Sequence, residues 1–485
     1  MKDQVKIMAT PNTIDLKDHF NKIGGKRSKY LKRNRFYHES ILRYFKMCIP
    51  EGSAVLELGC STGFLLGHLN PSAGLGVDIS DVMIAEARKK YPSIHFICEN
   101  AEQFNTDQVF DYIILSGILG VVKDIQKLLK KIKKWSTPDT RIFVDFYNPL
   151  WYPVIRFGEI TGFKMPEKIR NWLSVDDIEN FLYISGYQVI KHKFLMFFPK
   201  YIPLITCILN KIIGNLPVLR RLSMESVVTA RPLVDWPDKQ EKTCSVVITC
   251  RDEEGNIEPL VTRIPTMGAA TEIIFVEGHS QDNTVGKIQE MMKKYPDKDI
   301  KMLKQKGIGQ GDAFRYGFDQ AKGDFVIWLE ADITTPPEEA MHLWYAYINQ
   351  VGEYVNGSRF IYKMERSAMP LFNFLGNRFF GFLFTILLKQ RFTDTLCGFK
   401  GISKRNYIKI RKQIDYFGDF DPFGDFELIF GAIKNNLKVA EIPVHYQPRQ
   451  YGESKAYGQS FSSFMRHVWL LLRMSFIAFR KFIIS

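Results

Sequence analysis

The sequence predicts an α/β protein of two domains, each built on a sheet of buried parallel strands. Three observations predict it. Strand-type runs open each half, at Ala54–Leu58 and Ser245–Thr249, and each leads into a turn of glycines or acids and then a helical pattern. A length of 485 residues suits two large domains or three ordinary ones. Between the halves, 231–243 holds two prolines and a charge cluster without apolar periodicity, as a linker does. The expected organisation is a basic helical lead-in over 1–45, a first domain over 46–230, the linker 231–243, a second domain over 244–460 and an amphipathic helix over 461–485.

Composition narrows the function classes. Hydrophobic residues at 46% and charged residues at 24% are ordinary globular usage and exclude global disorder. The seven cysteines are odd in number and lack paired zinc-type spacings, so a disulfide framework is excluded and a reduced cytosolic setting expected. The opening residues contain no apolar h-region, so no secretory signal is expected. Sixty-six Lys+Arg against 52 Asp+Glu give +14, and the pI is about 9.2. That balance calls for a polyanionic partner: nucleic acid, an anionic membrane face or phosphorylated substrates. Aromatic content of 14% favours the membrane, and there is no RNA-reading motif, so no nucleic-acid partner is expected.

In the first half, Val55-Leu56-Glu57-Leu58-Gly59-Cys60-Ser61-Thr62-Gly63 reads strand, glycine turn, helix. Glycines at such a turn let the backbone approach a ligand. Asp78, at the end of the next strand, stands where a carboxylate meets ribose hydroxyls in an open parallel sheet. A third element, Glu99-Asn100-Ala101-Glu102, and a fourth strand, Phe110–Ser116, complete the series. Over about 50–195 these residues resemble the class I S-adenosylmethionine-dependent methyltransferases, with their Rossmann-like sheet. The resemblance implies that Glu57, Gly59 and Gly63 line the methionine end, that Asp78 binds ribose, and that Asn100 and Ala101 lie near adenine. Ser61 stands where that family commonly has glycine, and the G-x-G-x-x-G spacing of nicotinamide-binding domains is not present. Methyl transfer is an in-line displacement that proximity alone can accelerate, so no base need stand out. Candidates after the fifth strand are Asp145, Tyr147 and Tyr152.

In the second half, a strand runs from Ser245 into Arg251-Asp252-Glu253-Glu254-Gly255, a second ends at Glu277-Gly278-His279, Lys306–Ala313 follows with Asp312, and another strand ends at Glu330-Ala331-Asp332. A strand ending in acid-x-acid can hold a hard divalent cation together with diphosphate oxygens. Four such turns in order resemble the family-two glycosyltransferases of GT-A fold over about 243–460, above all the dolichol-phosphate mannose synthase type, which glycosylates polyprenyl phosphates. The resemblance implies a nucleotide-sugar site of Thr249, Arg251, Glu253, Glu277, Gly309, Glu330, Asp332, Arg449 and Lys455. Asp332 would be the metal ligand, with Glu330, longer than the family's usual Asp, reaching the Mg²⁺ or Mn²⁺ or only the ribose. Asp425 in Gly424-Asp425-Phe426-Glu427 is the expected acceptor-side carboxylate: a general base for a hydroxyl acceptor, or a positioning group for a phosphate acceptor, which is already anionic. Arg449–Lys455 matches the family's R-x-x-G-x-S-K, whose cations would stabilise the leaving diphosphate. His445 is expected to be structural.

Three apolar stretches remain. Residues 194–219 are broken by prolines and lysines, and 368–388 carry Asn373, Asn377 and Arg378, so neither is expected to span a bilayer. In 461–485, Arg466, Arg473 and Arg480 recur every seven residues and form one helical stripe, with Trp469, Leu470, Leu472, Phe476 and Phe482 on other faces. That pattern suits a helix lying in a headgroup layer, or one packed on the protein's own core. Together these readings imply a bifunctional enzyme of glycan or glycolipid assembly at the cytosolic membrane face. A nucleotide-diphosphate sugar would be its donor, a polyprenyl phosphate or glycolipid its acceptor, and S-adenosylmethionine would methylate a sugar or related intermediate. The alternative is a soluble polysaccharide- or protein-directed glycosyltransferase with a non-catalytic S-adenosylmethionine-binding module.

Overall fold

The computed structural model describes residues 11–169, 171–216, 219–236, 238–364, 369, 371–413, 424–449, 451–452 and 461–484. The chain forms two compact units, Met1–Val234 and Asp235–Ser485. Each is the expected α/β domain on a seven-stranded sheet.

The strands of the first unit are β1 (Ala54–Leu58), β2 (Ala73–Asp78), β3 (His95–Cys98), β4 (Phe110–Ser116), β5 (Ser136–Tyr147), β6 (Tyr187–Met196) and β7 (Glu225–Pro232). Their order is β3-β2-β1-β4-β5-β7-β6, parallel except for β7, which runs antiparallel between β5 and β6. Side chains alternate between the two faces. Leu56, Leu58, Ile113 and Val144 pack with Phe104 and Trp135 on one side. Val55, Ile114, Phe143 and Val227 pack on the other against Phe45. Phe45 belongs to the helix Arg35–Cys48, whose Ile41, Tyr44, Phe45 and Cys48 are buried at the spacing of one helical face. Truncating a core phenylalanine of this kind costs about 3–5 kcal/mol. The lead-in is helical as expected, over Pro11–Gly24, Arg27–Arg33 and Arg35–Cys48.

The chain direction reverses its sheet order between β1 and β4, which opens a crevice beyond their carboxyl ends. By the two-residue period, Glu57, Ser116, Asp145 and Tyr147 all share the Phe45-covered face at that crevice. The expected linker begins two residues late: Arg231 and Pro232 are the last rungs of β7, opposite Gln188 and Tyr187.

In the second unit the strands are β8 (Cys244–Cys250), β9 (Thr271–Glu277), β10 (Asp299–Lys304), β11 (Phe325–Glu330), β12 (Tyr354–Ser358), β13 (Lys400–Ser403) and β14 (Val439–Pro443). The order β10-β9-β8-β11-β13-β12-β14 again reverses beside the first strand, between β8 and β11. Strands β8 to β11 are mutually parallel, and β13 runs antiparallel to β11 and β12. Val247, Val326 and Trp328 pack with Phe314, Phe384 and Phe426 on one face. Val246, Ile248 and Ile327 pack with Leu260 and Trp344 on the other.

Among the described residues, no helix is long and apolar enough to cross a membrane. The 194–219 stretch leaves β6 and breaks into short helical turns, while 368–388 contains the helix Leu371–Leu388. The C-terminal helix Phe461–Phe479 buries Leu471, Met474, Ser475 and Ala478 against the second unit's core. Its outer face exposes Trp469, Leu472, Phe476 and Phe479. Arg473 and Arg480 are exposed within that outer face, where Arg473 lies 5.4 Å from the Trp469 ring, so arginines and aromatics share one stripe instead of separate ones. The side chain of Arg466 lies outside the described residues.

Candidate active sites at the two sheet reversals

At the first reversal β1 turns through Gly59, Ser61 and Gly63, all with positive φ (82°, 51° and 72°). A Cβ on Gly59 would stand 2.8 Å from the Ser116 carbonyl oxygen, and one on Gly63 would stand 2.7 Å from the Phe96 ring. Glycine is therefore required at both. Ser61 takes the left-handed backbone usually left to glycine, and its N–H donates to Asp78 Oδ2 at 2.8 Å. Asp78 also accepts from the Ser80 N–H at 2.9 Å. Burial raises its pKa, and the two backbone donors oppose that rise. Asp78 thus latches the glycine turn as well as facing the crevice.

A cavity of about 260 Å³ occupies this crevice. Of the sequence-predicted cofactor residues, Glu57, Gly59, Asp78, Asn100 and Ala101 line it. Gly63 does not: it packs beneath the turn against Phe96. Glu57 is fully engaged, accepting from the Ser116 hydroxyl at 2.9 Å and the Leu66 N–H at 3.2 Å. Burial pushes its pKa up to about 8. Asn100 accepts from the Glu102 N–H at 2.9 Å, fixing the third turn.

The far wall of the cavity holds a second polar group. Tyr37 donates to Glu225 Oε2 at 2.6 Å, and its hydroxyl lies 3.2 Å from that of Tyr147. Glu225 is buried opposite Tyr147 in the β5–β7 ladder, and burial raises its pKa well above the carboxylate range. Asp145 accepts from the Gly117 N–H at 2.9 Å, and burial pushes it up to about 6. Asp145 and Tyr147 line the cavity as the sequence suggests, but Tyr152 does not. It is 48% exposed, with its ring 4.9 Å from that of Trp172. Tyr37, His38 and Glu225 were missed by sequence reasoning. The one available signal was Glu225, a lone acid opening a fully buried strand.

At the second reversal, Arg449 spans the crevice. Its guanidinium donates to Glu253 Oε1 at 2.8 Å and Asp332 Oδ2 at 2.9 Å. Asp332 Oδ1 accepts from the Thr334 N–H at 3.1 Å and hydroxyl at 2.9 Å. Glu330 accepts from the Gln310 side chain, and burial, followed by the neighbouring Asp332 charge, pushes its pKa up to about 7. Gly398 closes on Glu330 so tightly that a Cβ would lie 2.4 Å from its carboxyl carbon. Glu330, Asp332, Arg359, Gly398 and Tyr446 enclose a space of about 10 Å³, roughly one water.

The other residues expected at this site are engaged as follows. Thr249 accepts from the Trp328 indole at 3.3 Å, which gives its side chain a packing role. Glu277 accepts from the Ser280 N–H and ties its own turn. Arg251 is 57% exposed beside Asp252. Gly309, at φ 97°, precedes the helix Gln310–Gln320. Asp425 forms an ion pair at 2.8 Å with Lys400, whose side chain is fully buried and whose pKa is raised. Lys455 lies outside the described residues. His445 bonds Glu339 at 2.5 Å and stacks on Tyr362.

Among the described residues, no group of three or more His, Cys, Asp and Glu is placed to hold a metal. Magnesium with a nucleotide needs fewer, since one or two carboxylates and the phosphate oxygens complete its shell. Asp332 and Glu330 supply that donor type, and the mutual repulsion that raises Glu330 is what a divalent cation would relieve.

Each crevice thus belongs to an α/β domain with its site at a strand-order reversal. The chain carries a match to the "Methyltransferase domain" family over residues 30–192 and to "Glycosyl transferase family 2" over residues 245–411. It is 30% identical over 234 residues to the dolichol-phosphate mannosyltransferase of Pyrococcus furiosus, covering 47% of this chain and 63% of that protein. It is 28% identical to the undecaprenyl-phosphate 4-deoxy-4-formamido-L-arabinose transferase of Salmonella paratyphi B, covering 47% and 65%. The chain thus spans somewhat under two thirds of the length of these relatives. Among solved structures, a Thermotoga maritima S-adenosylmethionine-dependent methyltransferase aligns at TM-score 0.35 and 17% identity, over 44% of this chain and 99% of that one. The magnesium protoporphyrin IX methyltransferase of Synechocystis aligns at TM-score 0.34 and 16% identity, over 46% and 100%.

Proposed function

We propose that this chain is a bifunctional enzyme of glycan or glycolipid assembly. The second unit transfers a sugar from a nucleotide-sugar donor to a polyprenyl phosphate or glycolipid, and the first methylates a sugar or related intermediate from S-adenosylmethionine. The observation that carries the sugar-transfer reading is Arg449 bridging Glu253 and Asp332 at the β8–β11 reversal. A cation and carboxylates at one strand end are the parts needed to hold a diphosphate and its metal. Asp332 and Glu330 would hold Mg²⁺ or Mn²⁺, which when bound offsets the charge of the leaving diphosphate. Arg449, with Lys455, would hold the diphosphate itself. Asp425, tied to buried Lys400, fits a positioning role, which agrees with an anionic phosphate acceptor that needs no base.

The homologous polyprenyl-phosphate transferases support a lipid acceptor. So does the outer face of the Phe461–Phe479 helix, where exposed Trp469, Leu472 and Phe476 alternate with Arg473 and Arg480. That combination suits peripheral contact with an anionic membrane at its cytosolic face. In the first unit, a cavity bounded by the Gly59 turn on one side and Tyr37, Tyr147 and Glu225 on the other supports the methyl-transfer reading.

The test is nucleoside-diphosphate release from UDP-, GDP- and dTDP-sugars with Mg²⁺ or Mn²⁺, with and without a short polyprenyl phosphate. Turnover of one donor should depend on the lipid. It should fall at least about 100-fold in Asp332→Ala, the loss typical of removing one group that stabilises transition-state charge. Metal-dependent donor hydrolysis indifferent to lipid would move the acceptor to a soluble hydroxyl and return Asp425 to the role of base.

A further inference from the structure

The helix Tyr152–Ile160 of the first unit buries Ile155 and Glu159 and leaves Val154, Phe157 and Ile160 exposed, with Leu150 exposed in the turn before it. These are bulky apolar side chains at the period of one helical face, and that face is turned to solvent. A second apolar run adjoins it, with Tyr201, Leu204, Ile205 and Ile208 exposed. Phe157, Ile160 and Leu204 are 65%, 76% and 80% exposed.

Contacts within the unit join these runs to the lead-in. Arg33 donates to the Gly162 carbonyl at 2.7 Å and lies 4.3 Å from the Phe163 ring. Lys200 bonds the Asn34 side chain at 2.7 Å, and Phe36 meets Tyr201 at 5.7 Å. At the other end, Trp151 donates to the Leu222 carbonyl at 2.7 Å, beside exposed Arg221.

The charge around this face is mainly positive, since Glu159 and Glu167 are taken up in pairs with Arg156 and Lys164. From 197 to 224 the sequence has Lys200, Lys211, Arg220 and Arg221 and no acid, and from 22 to 35 it has seven Lys and Arg and no acid. Apolar side chains ringed by cations complement an anionic lipid surface, whereas a second copy of the chain, itself at +14, would bring net like charge. The residues that follow directly, Met165, Glu167, Ile169 and Trp172, line the first unit's cavity.

We propose that the first unit has its own docking face for anionic phospholipid, beside its cavity, so that methylation takes place on an acceptor held at the bilayer surface. This rests on the lipid-acceptor reading above, but it assigns the membrane contact to a different surface from the C-terminal helix.

The test is flotation of the full chain with phosphatidylcholine vesicles, with and without phosphatidylglycerol. Wild type is compared with a triple variant, Phe157→Ser, Ile160→Ser and Leu204→Ser, and with a charge variant, Lys200→Glu and Arg221→Glu. A third variant, Trp469→Ser and Phe476→Ser, reports on the second unit. S-adenosylhomocysteine titration checks the first unit's fold without any membrane. Binding to anionic vesicles should fall about fivefold per basic residue removed, and at least as far in the triple variant, at unchanged S-adenosylhomocysteine affinity. If the triple variant loses that affinity, the charge variant decides alone. Vesicle binding abolished only by the Trp469/Phe476 changes overturns the proposal and leaves the second unit's membrane contact standing. Absence of vesicle binding by wild type overturns both. A dimer in light scattering that the triple variant dissociates overturns it in favour of contact between copies.

Discussion

The two crevices arise from the same topological device, a strand order that reverses beside the first strand, yet they differ in the cations set beside their buried acids, although burial raises Glu330 of the second as it raises the acids of the first. In the first unit, Glu57, Asp145 and Glu225 have few cations beside them, and burial raises all three towards the neutral acid. In the second, Asp332 and Glu253 share Arg449, Asp425 pairs with Lys400, and Asp394 takes both arms of Arg359 at 2.7 and 2.9 Å. The difference follows the charge of the proposed ligands. A sulfonium is attracted by acids that can ionise as it arrives, whereas a diphosphate needs cations already in place.

The strongest way to break this comparison is to remove the cation. Arg449→Met should lower nucleotide-sugar turnover about 100-fold and leave S-adenosylhomocysteine affinity unchanged. Unchanged turnover would mean that other groups hold the diphosphate.

A smaller effect sharpens the first unit's side. Gly59→Ala forces a Cβ to 2.8 Å from the Ser116 carbonyl oxygen at φ 82°. The left-handed backbone alone costs about 1–2 kcal/mol, so S-adenosylhomocysteine affinity should fall at least about tenfold by calorimetry, with sugar turnover intact. An alanine variant of wild-type affinity would remove the ligand from that turn.

The smallest effect is in pH. Glu57 has a folded pKa of about 8 against an ordinary value of 4.5. Between those values the unfolded chain has released the proton and the folded unit still binds it, so the stability of the first unit falls as pH rises through that window and levels above it. The slope is on the order of 1 kcal/mol per pH unit for a single group. Glu57→Gln should flatten this slope in melting curves taken from pH 5 to 8. A slope unaltered by the substitution would assign it to other acids.

The parts of each site that the sequence made legible are those within one strand–turn unit. Gly59, Asp78 and Asn100 were found because a strand end, its turn and the next acid are close in the chain. Tyr37 and Glu225 are 188 residues apart, and Arg449 is 196 from Glu253. Nothing local specifies such pairs; they follow from strand order and from the helix that covers the sheet. Spacing also has a limit within a helix. The heptad of Arg466, Arg473 and Arg480 shows a stripe, but only the burial of Leu471, Met474 and Ala478 shows which way the stripe faces. Tyr152 misled for a related reason: it follows β5 closely, but the turn Pro149–Trp151 carries it out of the cavity.

The bond from Tyr37 to Glu225 also bears on modularity. Leu16, Phe20, Arg27, Leu31, Tyr37 and His38 all face the first unit's cavity, and Phe45 seals its sheet. The family match begins only at residue 30, and a strand-based boundary falls later still. A module cut at residue 30 would lose Leu16, Phe20 and Arg27 from the cavity wall, and one cut at the first strand would also lose Leu31, Tyr37, His38 and the Phe45 cover. Portability of the first unit to another chain therefore depends on carrying the segment from residue 11, although it contributes no strand.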